Sequence, residues 1–400
     1  MHTIRRLAVG PLPVIFLALV GGCDGSDLPL FGPGEKEVYS GQFLDSAVAN
    51  LDYKTATSEG TTDASGRFSY RSGESISFSI GGVLLGETDA QEIITPVNLV
   101  DDGTTATPAV RNITRFLQAL DQDGDPANGI TISDAVRAAA GEWDGLDFSA
   151  DDFDDRAAPI LTSAGSADGR TITMQSAADA ARHLEQTIFC AYSGGFTGTF
   201  SGGSGQGSWM LTVDDEGNIS GVGRDANANT FRLDGMLNPD SRSSFWADYY
   251  SVDASQPEVR WEGAIHSSGM VTGSWESGSP PQITTLTGNR KLLALTPGTG
   301  DEIYQGTLEL SSGTHNDKFE TADVGIIRLA VGDGVVSGKG YIYLENSDFT
   351  IPETDIIDDN FGFQAAGKQF LGRIEGDSII LGLTDLATGK IGGGSACKAP

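Results

Sequence analysis

Residues 207–223 read G-S-W-M-L-T-V-D-D-E-G-N-I-S-G-V-G, and residues 325–340 read G-I-I-R-L-A-V-G-D-G-V-V-S-G-K-G. Each is an apolar strand, a tight Asp/Gly turn, and a second strand ending S-G-x-G. Such a pattern predicts a hairpin. The flanks repeat too. Tyr192-Ser193-Gly194 precedes the first copy and Tyr304-Gln305-Gly306 the second. A later hairpin, W-E-G-A-I-H-S-S-G-M-V-T-G (261–273), matches L-G-R-I-E-G-D-S-I-I-L-G (371–382). The copies end T-G-N-R-K (287–291) and T-G-K-I-G (388–392). Self-similarity at a fixed period marks tandem supersecondary units. Two antiparallel meanders are therefore expected, at 191–297 and 298–400, joined near Leu295–Gly300. Trp209, Leu211 and Val213 share one strand face, as do Phe231, Leu233 and Leu237, then Val259, Trp261 and Ile265. That spacing predicts a small closed barrel or a strongly curled sheet.

Upstream, residues 38–105 also read as β. Ser75–Ile80 alternates strictly, and Asp63-Ala64-Ser65-Gly66 is a turn. Residues 106–190 read as a helical and acidic segment. Val110, Ile113, Phe116, Leu117 and Leu120 recur at helical spacing. A second helix is expected near 133–140, with Ser133 as its cap, and a third over 176–189. Residues 141–171 carry Asp144, Asp147, Asp151, Asp152, Asp154 and Asp155, and read as an acidic, loop-rich stretch. The expected fold class is mainly β with a helical insert (α+β): a β-sandwich, a short helical segment, then two tandem Gly-rich meander or barrel-like units.

The chain has 400 residues, 54 of them Gly, enough for two to four domains at about 100–200 residues each. Its 25 basic and 55 acidic residues give a formal charge of −30, which excludes nucleic acid as a partner because that surface needs a basic footprint. Residues 1–22 read as an export signal: Arg5 and Arg6, then an apolar run from Leu7 to Val20 that is shorter than a membrane span. Residues 23–37 are polar, broken by Pro and Gly, and read as a tether.

Val20-Gly21-Gly22-Cys23 resembles the lipobox of bacterial lipoproteins. The resemblance implies cleavage before Cys23, acylation of that residue, and anchoring at a cell envelope. An outer-membrane or cell-surface address is expected over the inner membrane, although Asp24 resembles a retention signal and leaves this open. G-Q-F-L-D-S (41–46), N-L-D-Y (50–53) and T-T-D-A-S-G-R-F-S-Y (61–70) resemble the carboxypeptidase regulatory-like, transthyretin-like β-sandwich. That likeness implies scaffolding, not chemistry. The G-x-(W/F) rhythm of the C-terminal half resembles lipocalin and avidin barrels and those of surface lipoproteins.

Candidate sites follow. Cys190 and Cys397 bracket the two β units, and in an oxidising compartment they predict a disulfide; two buried thiols are the alternative. Asp121, Asp123 and Asp125 alternate, with Asn128 beyond, an arrangement that can hold Ca²⁺ or simply be a solvated turn. Pro126 and Ile132 break the EF-hand pattern, and no other cofactor is expected. Trp246, Tyr249, Tyr250 and Trp261 are candidates for ligand or partner contact, because adjacent aromatic pairs in a strand must split between its faces. His183, His266 and His315 do not pair at metal-ligand spacing, and there is no G-x-S-x-G elbow. A Ser-His-Asp set forms in space and stays open. The expected function is a non-enzymatic binding or adhesion module with a protein or glycan partner, and a membrane contact through the anchor. The alternatives are an assembly accessory of an envelope complex and, behind it, a hydrolase. A ligand binder should show a Trp-lined cavity in 192–290. An accessory should show filled barrels and an exposed patch near 245–250. A hydrolase should bring a His to a Ser and a carboxylate.

Overall fold

The computed structural model describes residues 37–203, 205–251, 257–315 and 318–399. The expected signal segment 1–22, Cys23, Asp24 and the expected tether up to residue 36 lie outside the described residues. So does the side chain of His315.

The chain first forms β1 (Val38–Phe43), β2 (Val48–Ala49), β3 (Asp52–Thr55), β4 (Glu59–Thr61), β5 (Arg67–Arg71), β6 (Ser75–Ile80), β7 (Val83–Asp89) and β8 (Ile93–Ile94). Two sheets result, β5-β1-β8 and β4-β3-β6-β7. The alternation in β6 turns Ile76, Phe78 and Ile80 inward. Phe78 meets Phe43 of the other sheet at 4.7 Å between ring centroids, so the sheets face each other across an aromatic core.

Next come α1 (Pro108–Leu120), β9 (Ile130–Thr131), α2 (Asp134–Ala140), α3 (Phe153–Asp168) and α4 (Ala177–Tyr192). Ser133 caps α2 as read, and Ser176 caps α4, each hydroxyl accepting a backbone N–H from three residues on. The acidic stretch departs from expectation: residues 153–168 are helix, not loop. Phe153, Ala157, Ile160, Leu161 and Ala164 make a buried stripe at helical spacing. Asp154 and Asp155 fall in the first turn, where the helix dipole favours negative charge. Asp154 also accepts two hydrogen bonds from Arg115 of α1, at 2.7 and 3.1 Å. The apolar faces of α1, α2 and α3 join Phe43, Phe68 and Phe78 in one core, so sheets and helices form a single packed body.

The first tandem unit is an eight-stranded meander: β10 (Gly194–Gly202), β11 (Gly205–Val213), β12 (Asn218–Asp225), β13 (Thr230–Leu237), β14 (Ser244–Ser251), β15 (Val259–Ile265), β16 (Met270–Ser277) and β17 (Gln282–Arg290). Pairing of β10 with β17 closes it into a barrel. Apolar side chains fill its inside and charged ones stud its outside, the reverse of a lipid-spanning barrel. Leu184, Ile188 and Tyr192 of α4 belong to the same core, and α4 runs straight into β10. The helix thus plugs the barrel end nearest Gly194.

The second unit holds β18 (Glu302–His315), β19 (Lys318–Gly332), β20 (Val335–Ile342), β21 (Ser347–Asp355), β22 (Asn360–Ala365), β23 (Lys368–Glu375), β24 (Ser378–Asp385) and β25 (Ile391–Lys398). Its sheet order, β21-β20-β19-β18-β25-β24-β23-β22, curls into a nearly closed barrel with its seam between β21 and β22. The repeat is in phase. The quoted hairpins are the second and third strands of each unit, and the later pair are the sixth and seventh.

The barrels pack on each other. Met210 and Val222, on the outer face of the first, join Val324, Ile326 and Tyr341 of the second. Tyr343 Oη and Ser208 Oγ are 3.0 Å apart across this contact. The run Trp209–Val213 is therefore buried on both faces.

Candidate functional site

Strand β14 sorts its aromatic residues by parity. Phe245, Ala247 and Tyr249 point into the barrel, while Trp246, Asp248 and Tyr250 point out. Trp261 lies fully buried inside, stacked on Trp275 at 4.6 Å and beside Tyr249 at 6.3 Å. Phe200 and Phe231 complete this plug at the end away from α4. The barrel is filled here by its own side chains. The indole N–H groups of Trp209 and Trp261 find no acceptor within it. Of the four aromatic candidates, two are core and two are surface.

The two surface rings belong to a built face. Trp246 pairs across the sheet with Met236 and Glu262, Asp248 with Arg260, and Tyr250 with Arg232. The Arg260 guanidinium lies 4.3 Å from the centroid of Trp246 and gives Asp248 two hydrogen bonds, at 2.8 and 3.0 Å. The bond to Asp248 holds the guanidinium's pKa above its ordinary value. Arg232 stacks on Tyr250 at 4.3 Å and reaches Asp234 at 3.5 Å. Burial pushes the Asp234 carboxyl up, against the pull of Arg232. Each cation is held in place twice, by a ring and by a carboxylate. An exposed cation–ring pair contributes about 0.5–1 kcal/mol. This flat surface of Trp, Tyr and Arg has the composition of protein-interface hot spots.

The 121–128 loop is tied by its own carboxylates. Asp121 accepts the Thr131 N–H at 2.9 Å, and its other oxygen is buried without a partner. Burial raises its pKa. Asp123 accepts the Asp125 N–H at 2.9 Å and the Asn128 amide at 3.0 Å, which lower its pKa. Asp125 accepts the Ala127 N–H at 3.3 Å. Asn128 thus turns its amide nitrogen, not its oxygen, toward Asp123. Among the described residues no three His, Cys, Asp or Glu side chains converge on a metal position.

Cys190 and Cys397 form a disulfide with Cα atoms 5.6 Å apart. Two clefts that the sequence did not signal lie near barrel junctions. One, of about 420 Å³, runs between the barrels and is lined by Asp214, Asp215, Glu309 and Gly392–Gly394. Its carboxylates are engaged, Glu309 by Ser220 at 2.9 Å and Asp215 by Ser395 at 2.5 Å. The other, of about 380 Å³, lies beside the disulfide and is lined by Ser46 and His183. Residues 137 positions apart meet there, so no local pattern announces it.

Among the described residues, no helix is long and apolar enough to cross a membrane. No family model matches the chain, and no curated protein does. Three solved structures show a distant likeness. Isotype 1 transferrin binding protein B from serogroup B Neisseria meningitidis is 10% identical, with 48% of this chain and 66% of that one covered, at a TM-score of 0.19. A Trp-to-Ala mutant of the vaccine antigen transferrin binding protein B from Haemophilus parasuis Hp5 is 9% identical, with the same coverage and a TM-score of 0.16. A protein of unknown function from the DUF3598 family of Nostoc punctiforme PCC 73102 is 8% identical, covering 54% of this chain and 98% of that one, at 0.14. The chain spans just under two thirds of the first two proteins. Likenesses at these scores carry neither site nor function across.

Proposed function

We propose that this chain is a binding module displayed at a cell envelope, and that it meets a protein partner through the outer face of β13, β14 and β15. The observation that carries this reading is the pair of clamped cation–ring stacks, Arg260 on Trp246 and Arg232 on Tyr250. A small-ligand reading is weaker, because Trp261 and its neighbours fill the barrel end that would receive one. Rigid aromatic side chains lose little entropy on binding, and a closed barrel pays little to present them. The envelope address rests on the lipobox resemblance at Cys23.

The test is a photo-crosslinking amino acid placed at Trp246 in the native cell, with Ile380 on the other barrel as control. A discrete adduct from position 246 alone is expected. Its identity separates an external partner from a resident of the same envelope, and so separates the adhesion reading from the accessory reading. No adduct from 246 or from 250 would sink this surface. Mass spectrometry of the purified protein tests the anchor: an N-terminal peptide beginning at acylated Cys23 is expected, and an unmodified one starting elsewhere removes the envelope reading.

A further inference from the structure

Three elements meet at the 380 Å³ cleft: the turn after β1, the middle of α4, and the end of β25. Ser46 lines it from the turn and His183 from the helix. Ser46 Oγ lies 3.1 Å from His183 Nε2, within hydrogen-bond reach. The Ser46 backbone holds φ at 55°, in the left-handed region that a non-glycine residue enters at a cost. Its N–H donates to Thr187 Oγ1 at 3.2 Å, and Leu44 bridges to Ala47 around it. Strand, turn and helix thus fix the hydroxyl against the imidazole, in a wall of the cleft.

Burial holds the His183 pKa below its ordinary value, ahead of the opposing pull of the Asp45 backbone and the Asp125 charge. Burial thus favours the neutral ring, and in the tautomer that carries its proton on Nδ1 the Nε2 accepts the proton of the hydroxyl. Asp45 lies beside the pair, with Oδ1 3.9 Å from the same nitrogen. Its carboxyl is fully buried and pushed up to about 8 by desolvation, so it is protonated at neutral pH. The arrangement is accordingly a serine–histidine dyad and not a charged triad.

We propose that Ser46 is a nucleophile activated by His183, and that the cleft accepts small neutral acyl esters. The substrate class follows from the walls. Ala47, Ala127 and Ala191 are small and apolar, Gln186 offers an amide donor, and the charges of the wall are paired, Asp377 with Lys398 at 3.3 Å and Glu375 with Arg373 at 3.3 Å, which suits a neutral substrate. In the reaction, Ser46 Oγ bonds to the acyl carbon while its proton passes to His183 Nε2. The alcohol leaves with that proton. Water then attacks the acyl-serine, gives its proton to the same nitrogen, and releases the acid with the serine restored.

The test uses the full chain with its disulfide intact. The protein is treated with a fluorophosphonate at pH 7.5 and mapped by mass spectrometry, and turnover of p-nitrophenyl acetate is followed in parallel. An adduct on Ser46 is expected, with labelling at least ~100-fold slower in His183→Gln, the usual contribution of a general base. Thermal melting shows whether that variant is folded. Should it fail to fold, Ser46→Gly carries the test, since glycine accepts the left-handed φ; turnover should vanish in it. An unlabelled Ser46 in a cooperatively melting protein, labelling indifferent to His183→Gln, or full turnover in Ser46→Gly would each reduce the pair to a contact that docks α4.

Discussion

Cys190, in the last turn of α4, is bonded to Cys397, in the last strand of the second barrel, 207 residues away. Both barrels lie inside the loop this closes. The helix that plugs the first barrel is thereby stapled to the final strand of the second. Chain entropy alone assigns a loop of this length about 5 kcal/mol. Reductant, or Cys190→Ser, should lower the melting temperature by several degrees, read by circular dichroism. Equal melting with and without reductant would mean that the bond does not form.

Arg290 secures the same junction without covalent help. Its guanidinium donates to the Ser193 carbonyl at 2.5 Å and the Ala191 carbonyl at 3.3 Å, and rests 4.8 Å over Phe196. Burial lowers its pKa to about 10, so it stays charged at neutral pH, at the helix end where a cation is favoured. Arg290→Met keeps the apolar stem and strands the Ala191 carbonyl. A loss of about 1–3 kcal/mol in urea denaturation is expected. Unchanged stability would show that these carbonyls find other donors.

Much of this architecture could be read from residues alone. The two S-G-x-G hairpins fall on equivalent strands because Asp/Gly turns and period-two alternation are local signals. Ser133 and Ser176 announce helix starts for the same reason. The helix over 153–168 was hidden because its carboxylates read as solvated loop, although Phe153, Ala157, Ile160 and Leu161 keep helical spacing. The apolar face of α4 looks the same whether it meets a sheet or plugs a barrel. Alternation told that Trp246 and Tyr250 differ in facing from Phe245 and Tyr249, but not that arginines clamp the outward pair. The meeting of Ser46 and His183 needs the whole fold between them.

Asp45 makes stability depend on pH. It is fully buried, accepts the Gln118 amide at 3.2 Å on both oxygens, and faces His183. Its carboxyl is raised to about 8 in the fold, against an ordinary value of 3.8. Between those two values the unfolded chain has lost the proton and the fold retains it. Stability should therefore fall as pH rises across that window, by up to about 1.4 kcal/mol per unit, and level off above it. Asp45→Asn removes the ionisation and keeps an amide for Gln118. It should melt near the parent at pH 3.5 and well above it at pH 8.5. A constant difference at both pH values would show that Asp45 does not titrate in this range.

Met210 lies on the outside of a barrel and yet is fully buried, because the second barrel covers it. Its neighbour Gly195 permits this: a Cβ there would fall 2.3 Å from Ile326 Cγ2 and 2.6 Å from Met210 Cε. The first barrel closes through the β10–β17 pairing and its own interior core, neither of which includes the Met210 side chain. Met210→Asp puts an unpaired charge into the contact, a change that costs several kcal/mol when the site stays closed. The barrels should part instead. Cleavage in the 294–300 linker should accelerate under limited proteolysis, while the Trp261 environment, read by fluorescence, stays unchanged. Simultaneous loss of both signals would mean that the two barrels fold as one cooperative body and that Met210 belongs to its core.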